Sequence, residues 1–261
     1  MAGLFDKQAE TYQQARPTYP SEWYSMLAAR TSHHSLAWDV GTGNGQAALS
    51  VAEHYKQVIA TDVSEAQLSF AMPHPRVRYV HTPESMPEDE MVALMGGENR
   101  VDLITVASAV HWFDLPKFYK LAKRLLRKPG GIVAVWAYND MFVSNDFHAI
   151  SKRLREKSSH FRPANAKYAI DGYRNLPFPF ESVGLGHEGE PMQLEIPKEL
   201  LFEGYLKLFK STSAFASAKE QGLDLLSEEV IKELESSWGG PSKVRTVTYK
   251  AFMLAGTVTD R

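Results

Sequence analysis

Residues 36–46 constrain the fold of this chain more than any other stretch. They form a short apolar run with Asp39 near its end, then three alternating glycines at positions 41, 43 and 45, then the start of a helical segment. Glycine lets the backbone turn sharply and lets a ligand lie against it without meeting a Cβ. A strand that leads into such a loop and then into a helix is typical of sites for nucleotide-like ligands in α/β folds.

The glycine spacing favours some ligands over others. The dinucleotide motif is G-x-G-x-x-G, whereas here Gln46 stands where the last glycine would fall, and no Gly-Lys-Ser/Thr follows. Asp39 places a carboxylate beside the loop, which suits an ammonium group and repels phosphate. An NAD-dependent oxidoreductase and an ordinary glycine-rich turn are therefore the weaker alternatives.

A second β-rich run ends in Asp62. An acid at the end of the second strand, roughly 20 residues past the glycines, accepts hydrogen bonds from ribose hydroxyls in folds of this kind. We therefore predict that Asp62 binds a ribose. The alternative is a helix N-cap, a role that Ser64 could fill equally well.

Composition limits the classes of function. The chain has 261 residues, 44% of them apolar, with a formal net charge of −2 and no cysteine. This length and apolar content suffice for one α/β domain. The charge balance lacks the excess of basic residues typical of a nucleic-acid-binding protein. The absence of cysteine excludes disulfides and thiol catalysis. No apolar run approaches ~18 residues and the first residues do not resemble a signal peptide, so we expect a cytoplasmic protein without membrane or nucleic-acid partners. Histidines 148, 160 and 187 lack ligand spacing, and we expect no metal.

Strand-like and helix-like segments alternate along the first half of the chain. Further strands are predicted at residues 77–81, 101–107 and 132–136, with two late ones at 192–196 and 244–255. This alternation favours an α/β fold with a parallel sheet. We predict a single domain over residues 1–261, with an N-terminal flap at 1–30 and helical cap insertions at about 141–182 and 197–240.

Several segments together resemble class I S-adenosylmethionine-dependent methyltransferases of the type-11 methyltransferase-domain group, and especially small-molecule enzymes similar to trans-aconitate methyltransferase. They are Phe5 with Tyr12, then residues 16–20, 39–45, Asp62, 83–87, 107–114, 128–131 and 211–214. Many relatives carry Ala-Glu where Pro83-Glu84 stands here, which leaves the adenine contact less defined. The resemblance implies a Rossmann-like seven-stranded sheet, mostly parallel with an antiparallel last strand, and helices on both faces.

The resemblance also implies S-adenosyl-L-methionine as the cofactor. The resemblance and the charges of the cofactor together predict a set of cofactor-binding residues. They are Tyr12, Arg16, Tyr19, Asp39, Gly41, Thr42, Gly43, Asp62, Val63, Gln67, Glu84, Ser85, Ala107 and His111. The guanidinium of Arg16 suits the cofactor's carboxylate, and Asp39 suits its ammonium group. Aromatic faces suit its sulfonium. Surface ion pairing for Arg16 and plain packing for Tyr12 and Tyr19 are the alternatives.

His111 is the base candidate, and with Trp112 it makes up the predicted catalytic pair. It follows a strand at the carboxyl end, where open α/β sheets bind ligands, although a packing role for its ring is the alternative. The residues predicted to contact the substrate are Trp112, Trp136, Tyr138, Tyr168, Ser211 and Ser213. Arg153 or Arg155 are candidates for binding a substrate carboxylate.

Together these features predict methyl transfer to a small molecule, acting on oxygen of a carboxyl group, which needs no base. The alternatives are N- or hydroxyl-directed transfer with His111 as base, and a non-catalytic S-adenosylmethionine-binding protein. A monomer and a homodimer are both compatible with the sequence.

Overall fold

The computed structural model describes residues 17–258. Tyr12, Arg16 and the first part of the predicted flap lie outside the described residues. The strands are β1 Leu36–Val40, β2 Gln57–Asp62, β3 Val77–His81, β4 Leu103–Ala107, β5 Ile132–Phe142, β6 Glu181–Leu185, β7 Met192–Leu200 and β8 Arg245–Thr257. The α-helices are α1 Ser21–Ala28, α2 Gln46–Ala52, α3 Glu65–Leu68, α4 Glu88–Leu94, α5 Leu115–Leu125, α6 Asn145–Ser158, α7 Lys167–Ile170, α8 Phe202–Lys210, α9 Ser213–Glu220 and α10 Glu228–Trp238.

The strands form one mixed sheet. Its order is β3-β2-β1-β4-β5-β8-β6, and β7 also pairs with β8. Strands β1 to β5 are parallel to their neighbours, whereas β8 is antiparallel to β5, β6 and β7. The strand order reverses between β1 and β4, and ligands of open α/β sheets bind outside the carboxyl ends of the strands at such a point.

The mostly parallel α/β sheet with an antiparallel last strand is confirmed, but the described sheet has eight strands rather than seven. The additional strand, β6, was not predicted, because most of its residues are exposed and it lacks an alternating apolar pattern. β5 also continues to Phe142 instead of ending at residue 136. The predicted insertion at 141–182 consequently holds α6 and α7 together with the end of β5 and the start of β6.

Helix α5 shows how the sequence sets an element and its packing. Asp114 caps it by accepting a hydrogen bond from the Lys117 amide at 3.2 Å, which satisfies one of the free N–H groups of the first turn. Residues 115, 118, 119, 122 and 125 are buried, as expected for one face of an amphipathic helix. The helix therefore covers one face of the sheet and forms the main part of the connection from β4 to β5.

The other face of the sheet is covered in part by aromatic side chains of the N-terminal region. Trp136 of β5 is fully buried there. Its ring makes edge contacts with Tyr19, Trp23 and Tyr24 at centroid distances of 5.6, 6.4 and 6.0 Å. Such pairs add to the energy of burial, so this cluster anchors α1 on the sheet beside the switch point.

Candidate functional site

A cavity of about 620 Å³ lies at the carboxyl ends of β1, β2 and β4. The predicted cofactor residues that line it are Gly41, Gly43, Asp62, Val63, Gln67, Glu84 and Ala107. Its charged wall is mainly acidic, because Asp62, Glu84, Glu88 and Asp114 line it against a single described cation, Lys117. Such a wall favours a cationic ligand and disfavours a pyrophosphate.

The glycine loop forms one wall of this cavity. Gly41 and Gly43 have φ values of +64° and +59°, a conformation that costs other residues roughly 1–2 kcal/mol. A Cβ on Gly41 would lie 2.8 Å from the Cβ of Ala109, whereas a Cβ on Gly43 would extend toward the cavity with only Gln67 Oε1 near it, at 3.7 Å. Gly41 is therefore required by packing against the protein, and Gly43 leaves room for a ligand.

Asp62 ties the loop to the end of β2. Its carboxylate accepts hydrogen bonds from the Gly43 amide at 2.7 Å and from the Ser64 amide at 2.9 Å. Ser64, not Asp62, caps α3 by accepting from the Gln67 amide at 3.1 Å. These two hydrogen bonds hold the Asp62 carboxylate at the cavity wall, next to the glycine loop.

Asp39 lies beneath the loop rather than on the cavity wall. It is fully buried and accepts hydrogen bonds from the hydroxyls of Thr42 at 2.5 Å and Thr105 at 2.6 Å. Burial raises its pKa to about 6, against the opposing effect of these hydroxyls and with a further increase from the charge of Asp62. Asp39 and Thr42 thus brace the loop between β1 and β4, and the contact of Asp39 with an ammonium group stays a prediction.

A second, smaller cavity of about 200 Å³ adjoins the first. Ser108 and Trp112 line both. Residues of β5, α6, α7, α8 and α9 form most of the rest of its wall, and the predicted site residues His111, Tyr138 and Ser213 also line it. Its volume falls below the roughly 300–1,000 Å³ of pockets for drug-sized molecules, so it suits a small ligand.

His111 is buried in the wall of this smaller cavity. Its Nδ1 lies 3.1 Å from the hydroxyl oxygen of Tyr173, within hydrogen-bond distance. Burial lowers the pKa of His111 to about 4, while burial raises the pKa of Tyr173 well above its usual value. Both groups are neutral at pH 7, and the imidazole is a weak base.

Several predicted site residues line neither cavity. Trp136 belongs to the aromatic core, where α1 and Tyr19 cover it. Tyr168 packs on the opposite face of the sheet with the ammonium of Lys167 5.2 Å from its ring, and Ser211 is buried with its hydroxyl donating to the Leu208 carbonyl at 2.7 Å. The structure does not bring these three side chains to a cavity wall. Ser85 is exposed and likewise lies outside the larger cavity.

Tyr19 lies next to the junction of the two cavities without lining either. Its hydroxyl is 2.9 Å from Ser108 Oγ. Ser108, which sequence reasoning missed as a site residue, has a φ of +54°, and strained backbone of this kind clusters at functional sites. The sequence signal that could have identified Ser108 as a site residue is its position directly after the fourth strand.

Two further residues of the smaller cavity region were also missed. Tyr173 contacts His111 from a segment with no recognisable motif. Arg162 lines the cavity together with Arg155, and nothing in its local sequence distinguishes it from a surface arginine. Of the two predicted arginine candidates, Arg153 instead pairs with Glu233 on the surface.

Metal-ligating side chains do not cluster in the described part of the chain. Over residues 17–258, no group of three or more His, Asp or Glu residues is placed to hold a metal ion. Within the same range, none of the helices has the length and apolar character that a membrane span requires.

Comparisons with known proteins agree with this geometry. A family model described as a methyltransferase domain matches residues 38–135. A protein of Dictyostelium discoideum assigned as a methyltransferase is 30% identical over 260 residues, covering 96% of this chain and 93% of that protein. A methyltransferase of Aspergillus candidus is 33% identical over 167 residues, covering 56% of this chain and 51% of that protein.

A solved structure extends the likeness to three dimensions. The protein from Anaeromyxobacter dehalogenans, assigned as a type II methyltransferase, superposes with a TM-score of 0.80 at 31% identity, covering 94% of this chain and 99% of that one. The glycine loop, the acid at the end of β2 and the acidic cavity lie together at the switch point. The chain therefore belongs to the class I S-adenosylmethionine-dependent methyltransferases.

Proposed function

We propose that this enzyme methylates a carboxylate oxygen of a small-molecule acceptor bound in the smaller cavity. S-adenosylmethionine supplies the methyl group from a sulfonium: an acceptor oxygen lone pair forms the new O–CH₃ bond while the S–CH₃ electron pair remains on sulfur. Such a displacement chiefly requires positioning and a dry site. A carboxylate acceptor has no proton to lose at pH 7, whereas a phenol, hydroxyl or ammonium group does.

In this proposal the two cavities hold the two reactants. Gly41, Gly43 and Asp62 would hold the cofactor in the larger cavity, with Asp39 positioning the loop from below. Ser108 and Trp112 line both cavities, so the methyl group and the acceptor would meet at these two residues. Trp112 offers an aromatic face to a sulfonium there.

The observation that carries the carboxylate assignment is the absence of a strong base around the acceptor. Among the described residues that line the smaller cavity there is no Asp, Glu or Lys. His111 is the one imidazole, and burial lowers its pKa to about 4. An efficient general base has a pKa near the working pH, so an acceptor that arrives already deprotonated matches this cavity best.

A labelled-methyl transfer assay tests the proposal. Wild-type enzyme and His111→Ala are supplied with carboxylic acids, phenols and amines, and the products are identified by mass. Hydroxylamine treatment distinguishes methyl esters, which it converts to hydroxamates with release of labelled methanol, from N-methyl and phenol-ether products, which resist it. We expect labelled esters, with kcat of His111→Ala within about threefold of wild type, since no proton must be removed. S-adenosylhomocysteine affinity serves as the folding control.

Two outcomes would contradict the proposal. One is transfer to nitrogen or to a phenol oxygen with no ester product. The other is loss of all ester formation in His111→Ala while S-adenosylhomocysteine still binds normally, which would make His111 the base.

A further inference from the structure

The charged groups in the wall of the smaller cavity are two arginines. Of the described residues that line it, only Arg155 and Arg162 carry a charge at pH 7. A guanidinium stays protonated in proteins and binds carboxylate or phosphate through paired N–H donors. A small cavity with two such groups and no acid in its wall is built for an anion.

The hydrogen-bonding capacity of these arginines is only partly used. Arg155 Nη2 lies 2.8 Å from Asp140 Oδ1, but its Nη1 is buried without a partner in the described part of the chain. A buried donor without a partner costs roughly 1–3 kcal/mol. A ligand oxygen would remove this cost.

Arg162 has even fewer contacts. Over residues 17–258, its guanidinium makes no ion pair or side-chain hydrogen bond in the structure, and its backbone amide donates to the Ser159 carbonyl at 3.2 Å. Burial and the nearby charge of Arg155 lower the pKa of Arg162. Asp140 compensates the charge of Arg155, and since no acid of residues 17–258 forms an ion pair with Arg162, one positive charge remains for a ligand.

Helix α9 contributes to the wall of the same cavity. Its first residues, together with Thr212, line the wall. The N-terminal end of a helix carries partial positive charge and free N–H groups. This end of the helix therefore adds to the field of the two arginines rather than opposing it.

The arginines do not line the larger cavity, whereas Ser108 and Trp112 line both. An anion held by the arginines therefore lies on the acceptor side, outside the cavity assigned to the cofactor. A carboxylate paired with guanidinium is also a weaker nucleophile, because its charge is neutralised. Both points favour an arginine-bound group that is distinct from the group that is methylated.

We propose that Arg155 and Arg162 bind a second, unreacting anionic group of the acceptor, so that the substrate is a small dianion methylated at one end. This inference rests on the proposed function, since it concerns the acceptor side of the same site. Carboxylate and phosphate share the recognition chemistry, and the experiment separates them.

The test compares acceptors that differ only in the second anion. Wild type, Arg162→Gln and Arg162→Lys receive the dicarboxylic acids from malonate to adipate, the monoamide of each, and 4-phosphonobutyrate, with labelled S-adenosylmethionine. We expect at least one dianion to exceed its monoamide more than tenfold in kcat/KM. Arg162→Gln should lower the dianion-to-monoamide ratio of kcat/KM by roughly 10- to 100-fold, as expected for loss of a charge-assisted contact. The decrease should come from a higher KM for the dianion, and Arg162→Lys should restore part of the ratio.

Binding gives a second readout that does not require turnover. With S-adenosylhomocysteine bound, the preferred dianion should raise the Tm of wild type but not that of Arg162→Gln, whose S-adenosylhomocysteine affinity should be unchanged. Arg162 is chosen because its guanidinium supports no described contact, unlike Arg155. Preference for the phosphonate or for a dicarboxylate identifies the second anion.

The outcomes separate this inference from the proposed function. Equal methylation of dianions and monoamides overturns the arginine site but leaves carboxyl methylation standing. Dianion binding that Arg162→Gln abolishes, with methyl groups delivered only to nitrogen or phenol oxygen, retains the arginine site and overturns carboxyl methylation. No dianion effect on either Tm or rate overturns the arginine site.

Discussion

The buried carboxylate of Asp39 predicts a pH-dependent penalty on folding. Burial raises its pKa from 3.8 to about 6. The folded state therefore binds this proton more tightly than the unfolded chain does. At 1.36 kcal/mol per pKa unit, the charged form costs the folded state about 3 kcal/mol relative to the unfolded chain. The contribution of Asp39 is most favourable below the unfolded pKa and is lost as the pH rises through about 6.

Asp39→Asn removes this titration while keeping the size of the side chain. Between pH 5 and pH 8 the linkage relation lowers the wild-type free energy of unfolding by about 1.4 kcal/mol through Asp39 alone. The difference between Asp39→Asn and wild type should therefore shift by that amount in favour of the variant. The substitution also rearranges the hydrogen bonds to Thr42 and Thr105. The stability lost in this way is the same at both pH values, so it cancels when the two pH values are compared.

Urea unfolding without ligand at pH 5 and pH 8 measures this difference. Glu220→Gln, a change at an exposed acid of α9, is the matched control and should differ from wild type by the same small amount at both pH values. Parallel pH dependences for Asp39→Asn and wild type would refute the reasoning, because Asp39 would then titrate equally in the folded and unfolded states.

Three further predictions concern the same region. If Asp39 faces the ligand's ammonium group, S-adenosylhomocysteine affinity should rise with pH through about 6 in wild type and stay flat in Asp39→Asn, as calorimetry would show. Gly43→Ala should weaken that binding roughly tenfold or more, because the substitution strains φ and places a methyl group toward the cavity; Gly222→Ala, with φ of +81° and open space around it, should leave affinity unchanged. Trp136→Ala should lower the free energy of unfolding by about 3–5 kcal/mol, measured by urea denaturation, and a loss below 1 kcal/mol would contradict the aromatic core.

The sequence predicted most of the parallel half of the sheet because its signals are local. Apolar runs end at glycines or acids, and β1, β2 and β4 bring Gly43, Asp62 and Ala107 to one cavity through simple parallel pairing. The Ser64 cap of α3 is likewise a local signal. These features need only the residues beside them in the chain.

The acceptor side could not be predicted in the same way, since it depends on how distant segments dock. Trp136 follows the pattern of a strand residue near the site, but Tyr19 and α1 cover it. Arg162 gains its position only when the segment after α6 packs beside α9. β6 forms through pairing with β8, although its own sequence carries little strand pattern.

The wall shared by Ser108 and Trp112 has a consequence for inhibition of this enzyme. Since the two cavities meet at these residues, one compound could occupy both if an adenosyl head were tethered to a short acidic tail. Tethering makes the second contact intramolecular and raises its effective concentration to the millimolar range for a short linker. The linker of such a bisubstrate compound would pass Ser108 and Trp112, which border both cavities, so a short link is favoured over a long flexible one.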